Sequence, residues 1–190
     1  MNLLNAVNSI PKGKISHDSI DIVITSPLYG DSHTTVAYGQ YSRLSSEWLG
    51  ILKHNVDSMA MGGATLQNGL IFDCGELDSA LDDVRKVNLK RSLEVYSYYS
   101  DLYTSIRKVS KVIKSGGYAC YVVANRKVAG ISLPTDKAIE CFFEKNGFTT
   151  FQTFARNIPN KRMPSKNSPS NIVGKTEETM SKEYIIIMRK

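Results

Sequence analysis

The feature that most constrains this chain is a β-branched run that meets a proline. Asp21-Ile22-Val23-Ile24-Thr25-Ser26-Pro27-Leu28-Tyr29-Gly30 reads as a strand ending in a rigid, aromatic turn. Ile22, Val23 and Ile24 are continuous, which predicts a strand covered on both faces within a parallel sheet. Pro27 fixes φ and removes a backbone donor, so the ladder stops there. It also biases Ser26 towards an extended conformation. Gly30 lets the chain turn away. Tyr29 is then left at the carboxyl end of a parallel strand, the edge at which open α/β sheets take their ligands.

These residue types suit one chemistry. An exocyclic amine on a nucleobase is a poor nucleophile because its lone pair is delocalised into the ring. A catalyst must hold acceptors in the plane of the amine. The Ser26 hydroxyl and the carbonyls of Ser26 and Pro27 are such acceptors, and Tyr29 can stack on the face of the base. A base inside a duplex is out of reach, so it would first be flipped out.

Ser26-Pro27-Leu28-Tyr29 resembles the catalytic Ser/Asp/Asn-Pro-Pro-Tyr motif of the DNA amino-methyltransferases, and the lead-in Asp18 to Thr25 resembles that family's approach to it. Leu28 stands where the family has a second proline. The resemblance is to site-specific modification methylases that act on cytosine N4 or adenine N6. It implies S-adenosyl-L-methionine as cofactor and double-stranded DNA as partner. It makes Ser26, Pro27, Leu28 and Tyr29 the catalytic residues, with Ser26 touching the methyl-bearing end of the cofactor. Ser in the first motif position favours cytosine N4 over adenine N6.

Length and composition fit that reading without demanding it. The 190 residues allow one ordinary domain, residues 1–190, and 42% apolar residues are enough for a core. A net charge of +6 fits an anionic partner. Cys74, Cys120 and Cys141 are odd in number and match no metal or disulfide spacing, so reduced thiols and a cytoplasmic location are expected. His17, His33 and His54 are scattered, which points to no metal. No stretch is apolar enough to span a bilayer, and the N-terminus lacks a signal layout.

Along the chain, Met1 to Lys14 is a short amphipathic piece ending in a Pro11-Lys12-Gly13 break. Asp31 to Arg43 is polar, small and aromatic, a loop whose Tyr38, Tyr41 and Arg43 could stack on a base or touch a phosphate. The alternative on spacing alone is a solvated turn; the run also resembles the segment just after the motif in one methyltransferase branch. Leu44 to Asn55 is a short helix with Trp48, Leu49 and Leu52 on its apolar side, and Ser58 to Gly75 is irregular. Glu76 to Lys90 is a helix with Leu77, Leu81 and Val84 inward. Val95, Tyr99, Leu102, Ile106, Val109 and Ile113 form one face of a long helix, its tyrosines core, ended by a left-handed cap at Ser115-Gly116-Gly117. Tyr118 to Ala124 is a second buried strand, reached by a crossover into a parallel sheet.

Asn125 and Arg126 lie just past that strand, again at the carboxyl edge. A helix follows from Leu133-Pro134-Thr135-Asp136, with Ile139, Phe142 and Phe143 inward and Asn146-Gly147 as its stop. Phe148 to Ala155 and Tyr184 to Met188 close the chain as an antiparallel pair. Between them, residues 156–181 form a basic, proline-containing loop, with Lys161, Arg162 and Lys166 among its cations. A long loop of this kind is functional or disordered. Its resemblance to the same branch favours DNA contact by Lys161, Arg162 and Lys166, and by Asn125 and Arg126.

The fold class expected is therefore α/β: a partial Rossmann-like methyltransferase sheet of about four strands, the last two an antiparallel hairpin, with flanking helices. The resemblance covers the family's catalytic half. Its Gly-rich cofactor loop is not found before residue 21, and Gly62-Gly63 and Gly116-Gly117 lack the strand-Gly-x-Gly-helix setting. A second polypeptide carrying that loop, or self-association, is expected to cover the exposed flank of the first strand. Two other classes stay open: a non-enzymatic nucleic-acid-binding or assembly subunit with a degenerate motif, and an RNA amine methyltransferase.

Overall fold

The computed structural model describes residue 10 and residues 15–30, 44–50, 60–64, 66–69, 71–158, 166–167, 177–178 and 182–190. Strand β1 (Ile20–Thr25) is followed by helices α1 (Gly75–Val87) and α2 (Leu89–Val112) and by strand β2 (Ile113–Val123). A small hairpin of β3 (Lys127–Val128) and β4 (Ile131–Ser132) leads into helix α3 (Thr135–Glu144). Strands β5 (Thr149–Asn157), β6 (Lys166–Asn167), β7 (Glu177–Glu178) and β8 (Lys182–Arg189) complete the chain. The main sheet has the order β1-β2-β8-β5. β1 runs parallel to β2, and β8 is antiparallel to both β2 and β5. This is the α/β sheet expected from the sequence, with its closing antiparallel pair.

The two glycines after α2 do a different job from the one expected. The helix stops at Val112, and Ile113 is already extended, with φ −75° and ψ 130°. Gly116, at φ +76°, lies inside β2, where the β1–β2 register is irregular. A Cβ on Gly117 would stand 2.8 Å from Ile113 Cγ2 and 2.9 Å from the Asp21 carbonyl oxygen. Gly117 thus lets β1 approach β2 closely, and the pair caps no helix.

The single helix expected over Glu76 to Lys90 is two. Asn88 breaks it at φ −154° and becomes the N-cap of α2, its side chain accepting from the Arg91 amide at 3.0 Å. Asparagine competes with the helix backbone in this way, which is why it favours caps over interiors. The buried stripe of α2 is as expected through Val95, Tyr99, Leu102 and Ile106, and its tyrosines are core. In α3, Ile139, Phe142 and Phe143 are fully buried. Asn146 donates from its amide to the Phe142 carbonyl at 2.7 Å, and Gly147 turns the chain at φ +84°.

The core lies on one side of the sheet. Ala119, Tyr121 and Val123 of β2 and Ile186 and Met188 of β8 are buried in one cluster with the inward residues of the helices. Phe143 of α3 meets Tyr121 edge-on, with ring centroids 5.1 Å apart. The opposite face is uncovered among the described residues. Ile22 and Ile24 are 51% and 69% exposed, and Phe151 and Phe154 are 57% and 46% exposed. The expectation that β1 is covered on both faces is therefore corrected: among the described residues, β1 is an edge strand with one bare face.

Other expectations need smaller corrections. Only residues 44–48 of the 44–55 helix are helical among those described, and Trp48 and Leu49 are exposed rather than packed. Residues 1–9, 11–14 and 51–55 lie outside the described residues. The stretch 156–181 is not all loop: β5 runs to Asn157, and β6 pairs with β7. Cys74 and Cys141 are joined in a disulfide, with Cα atoms 6.1 Å apart, against the expectation of three reduced thiols. Their separation of 67 residues carries no spacing signature. Cys120 remains a thiol. No described helix is long and apolar enough to cross a membrane.

Burial sets a pH limit on this core. Tyr99 and Tyr121 are almost wholly enclosed, and burial pushes both phenols well above the ordinary tyrosine value. In the unfolded chain they ionise at about pH 10. Their contribution is therefore complete below that pH and is lost as pH rises towards the folded values. Denaturant midpoints should fall progressively above about pH 10, and Tyr99→Phe should flatten that fall.

Candidate active site

The turn after β1 sits where four strands bring their ends together. Thr25 is the last residue of β1 paired with β2, opposite Tyr121. Ser26 then leaves the ladder, as the following proline requires. Its hydroxyl takes over the contact with β2: Oγ lies 3.1 Å from the Val122 carbonyl oxygen and 3.3 Å from Tyr29 Oη. One hydroxyl proton serves one of these at a time. When it goes to Val122, the lone pairs of Oγ are left to accept from a third group.

Leu28 and Tyr29 both pack against the core cluster. Leucine at position 28 thus anchors the turn by burial where proline would anchor it by a fixed φ. The Leu28 carbonyl accepts a hydrogen bond from the buried Tyr98 hydroxyl of α2 at 2.6 Å. The Tyr29 hydroxyl donates to Glu183 Oε1 at 3.2 Å. Glu183, on β8, is ion-paired with Arg156 on β5. Burial pushes the Tyr29 phenol up; its bond to Ser26 lowers it and the Glu183 charge raises it further.

Glu183 and Tyr98 were not singled out by sequence reasoning. They are 154 and 70 residues from their partners in the turn, and no local pattern marks either. Arg156 reads in the sequence only as the start of a basic stretch. Arg156 and Glu183 become visible once the strand order places the end of β5 and the start of β8 beside the ends of β1 and β2, and Tyr98 once α2 packs against the turn.

The other expected site residues divide. Arg126 lines a small pocket with Gly30, Tyr98 and Thr135, so it stands beside the turn. Asn125 is turned to α3: its amide donates to Asp136 Oδ1 at 2.8 Å, and its Oδ1 accepts from the Asp136 backbone at 3.2 Å. Its side chain is occupied in anchoring the helix start. Tyr38, Tyr41, Arg43, Lys161, Arg162 and the side chain of Lys166 lie outside the described residues. The last β5–β8 pair is Asn157 with Lys182. The basic stretch therefore leaves and rejoins the sheet one pair beyond Arg156 and Glu183, at the same edge as the turn.

An α/β sheet that presents Ser-Pro-Leu-Tyr at the carboxyl edge of a parallel strand is the arrangement expected of the methyltransferase class. No protein-family model matches the chain. Among curated proteins, it is 44% identical over 184 residues to the type II methyltransferase M.MvaI of Kocuria varians, a match covering 90% of this chain and 40% of that protein. The chain is thus related, over nearly its whole length, to part of a type II methyltransferase. It spans about two-fifths of the length of that relative. Among solved structures, a DNA modification methylase from Thermus thermophilus complexed with S-adenosyl-L-methionine is 18% identical, with a TM-score of 0.46 over 98% of this chain and 53% of that one. A second structure of the same protein is 16% identical, with a TM-score of 0.46 over 99% and 52%.

The contact between Tyr29 and Glu183 can be read by titration. Glu183→Gln removes the negative charge that helps hold the Tyr29 phenol up. The pH-difference absorbance between the parent and Tyr29→Phe isolates the Tyr29 titration. Its midpoint should move down in the Glu183→Gln background; an unmoved midpoint would place Glu183 away from Tyr29.

Proposed function

We propose that the protein containing this chain methylates an exocyclic amine in double-stranded DNA, cytosine N4 in preference to adenine N6, with S-adenosyl-L-methionine as donor. The observation that carries the reading is the turn itself: Ser26 and Tyr29 held side by side at the carboxyl edge of β1, on a rigid strand end. Relationship to a type II methyltransferase supports it. The reading carries a cytoplasmic location with it, that of the DNA it would act on.

On the base side, each residue has a separate task. The hydroxyl of Ser26, with its proton given to the Val122 carbonyl, accepts from the amine N–H. The carbonyls of Ser26 and Pro27 are further acceptors, and together they fix the amine plane and raise its nitrogen's electron density. The Tyr29 ring stacks on the flipped base. Leu28 holds the turn to the core. Lys161, Arg162 and Lys166 contact phosphates from a stretch that begins and ends at this edge, with Arg126 beside the turn. Tyr38, Tyr41 and Arg43, in the sequence that follows Gly30, are assigned to stacking on a base or touching a phosphate.

The donor itself does not fit the described residues alone. Gly62 and Gly63 follow no described strand, and Gly117 is consumed by the close approach of β1 to β2. We therefore assign most of the cofactor site to a further portion of the enzyme, on the same polypeptide or another. The bare face of Ile22, Ile24, Phe151 and Phe154 and the unpaired edge of β1 suit coverage by that portion. Leu28 and the lack of a cofactor cradle among the described residues favour, as the second reading, a non-enzymatic DNA-binding subunit.

Two measurements separate these readings. Isothermal calorimetry on residues 1–190 should show weak S-adenosyl-L-methionine binding; tight binding by a monomer would sink the divided site. Transfer of labelled methyl groups, assayed with the cofactor-binding portion and with duplex DNA or RNA as acceptor, should favour DNA. It should drop by about 5- to 150-fold in Tyr29→Ala, the rate equivalent of one lost aromatic–base stack. Full activity in a folded Tyr29→Ala protein would remove Tyr29 from the site.

A further inference from the structure

We infer that Tyr98 is a positioning residue: its hydroxyl orients the peptide between Leu28 and Tyr29 and supplies stiffness that a second proline would otherwise supply. The inference rests on the proposed role of the turn and deepens it. Tyr98 is 2% exposed and belongs to the middle of α2, 70 residues from the turn it touches. Its O–H donates to the Leu28 carbonyl at 2.6 Å. A peptide unit is planar, so fixing the direction of one carbonyl fixes the N–H and the Cα of the next residue. That residue is Tyr29. Its ring is then held at both ends, by Tyr98 through the backbone and by Ser26 and Glu183 at the hydroxyl.

Tyr98 is in turn well placed to be rigid. It packs edge-on against the Tyr99 ring, with centroids 5.1 Å apart, a contact that Tyr99→Phe leaves in place. Leucine leaves φ at position 28 unrestrained, whereas proline would lock it. A part-buried hydrogen bond to the carbonyl of the same residue restrains the other side of that residue. The two devices act on the same turn by different means, which makes them exchangeable in an experiment.

The test uses Tyr98→Phe, which keeps the ring and removes only the donor, with Tyr99→Phe as the matched comparison. Amide hydrogen exchange is followed in peptides covering residues 25–30 and the centre of α2. The expected result is exchange at Tyr29 and Gly30 about tenfold faster in Tyr98→Phe, with α2 unchanged and no such effect in Tyr99→Phe. In the methyl-transfer assay, kcat should fall by about tenfold while KM for DNA stays within about twofold, and adding Leu28→Pro to Tyr98→Phe should restore most of kcat. Unchanged exchange at the turn overturns the inference. So does equal loosening of α2, or an equal effect of Tyr99→Phe, since either describes a general loss of packing. Failure of Leu28→Pro to restore kcat overturns the exchange of roles with proline. If the parent transfers no methyl group to DNA, the proposed function falls, and the exchange data still decide what Tyr98 does.

Discussion

The close parallel pairing of β1 with β2 is the constraint on which the rest depends. It is possible because Gly117 has no side chain: a Cβ there would run into the Asp21 carbonyl and Ile113. With β1 seated, Val23 faces Ala119 and Thr25 faces Tyr121. The next residue, Ser26, then reaches the Val122 carbonyl with its hydroxyl instead of its backbone. Displacing β1 from β2 would separate Ser26 from Val122, Tyr29 from Glu183 and Leu28 from Tyr98, and would uncover the part of the core on which Leu28 and Tyr29 pack.

From that seat a row of polar contacts crosses the sheet at one edge. Val122 of β2, Ser26 and Tyr29 after β1, Glu183 of β8 and Arg156 of β5 follow one another in hydrogen-bonding order. The strand order β1-β2-β8-β5 makes this possible, because β8 inserts between β2 and β5 and brings the acid to the middle of the row. The outer pair, Arg156 and Glu183, is partly exposed and adds little to stability. Its consequence is geometric. It closes the sheet at the root of the basic stretch and keeps a carboxylate within reach of the Tyr29 hydroxyl.

How legible this was in the sequence depends on the range of the interaction. Period and capping are local, so the stripe of α2, the stop of α3 at Asn146-Gly147 and the strand before Pro27 could be read directly. The break at Asn88 was also local, and the continuous charged pattern across it hid the cap. Glycine was ambiguous: Gly116-Gly117 suits a helix end as well as a strand bulge, and only the approach of β1 decides. The Ser26–Tyr29 turn was legible because its chemistry lies in four adjacent residues. Its supports, Tyr98, Glu183 and the Val122 carbonyl, come from three other elements and leave no mark in the sequence. Asn125 shows the reverse case: its place after a strand suggests a ligand contact, while its bonds to Asp136 come from the start of another helix.

The uneven burial of the sheet connects fold to function. β2 alternates between fully buried and half-buried residues, and its half-buried set shares a face with Ile22, Ile24 and Phe154. Tyr118 on that face stacks edge-on against Phe151, with Arg189 over its ring, so the face has local order of its own. Apolar side chains arranged this way gain by being covered, at roughly 25 cal/mol for each Å² removed from water. The edge of β1 that no described strand pairs adjoins the same face, and extending the sheet there would satisfy its backbone groups as well. A parallel strand laid along β1 would also bring its own carboxyl end, and the turn that follows it, next to Ser26 and Tyr29. In the proposed reading, one added layer would thus meet three requirements together: it would bury the bare face, pair the open edge and set a cofactor loop beside the base-side turn.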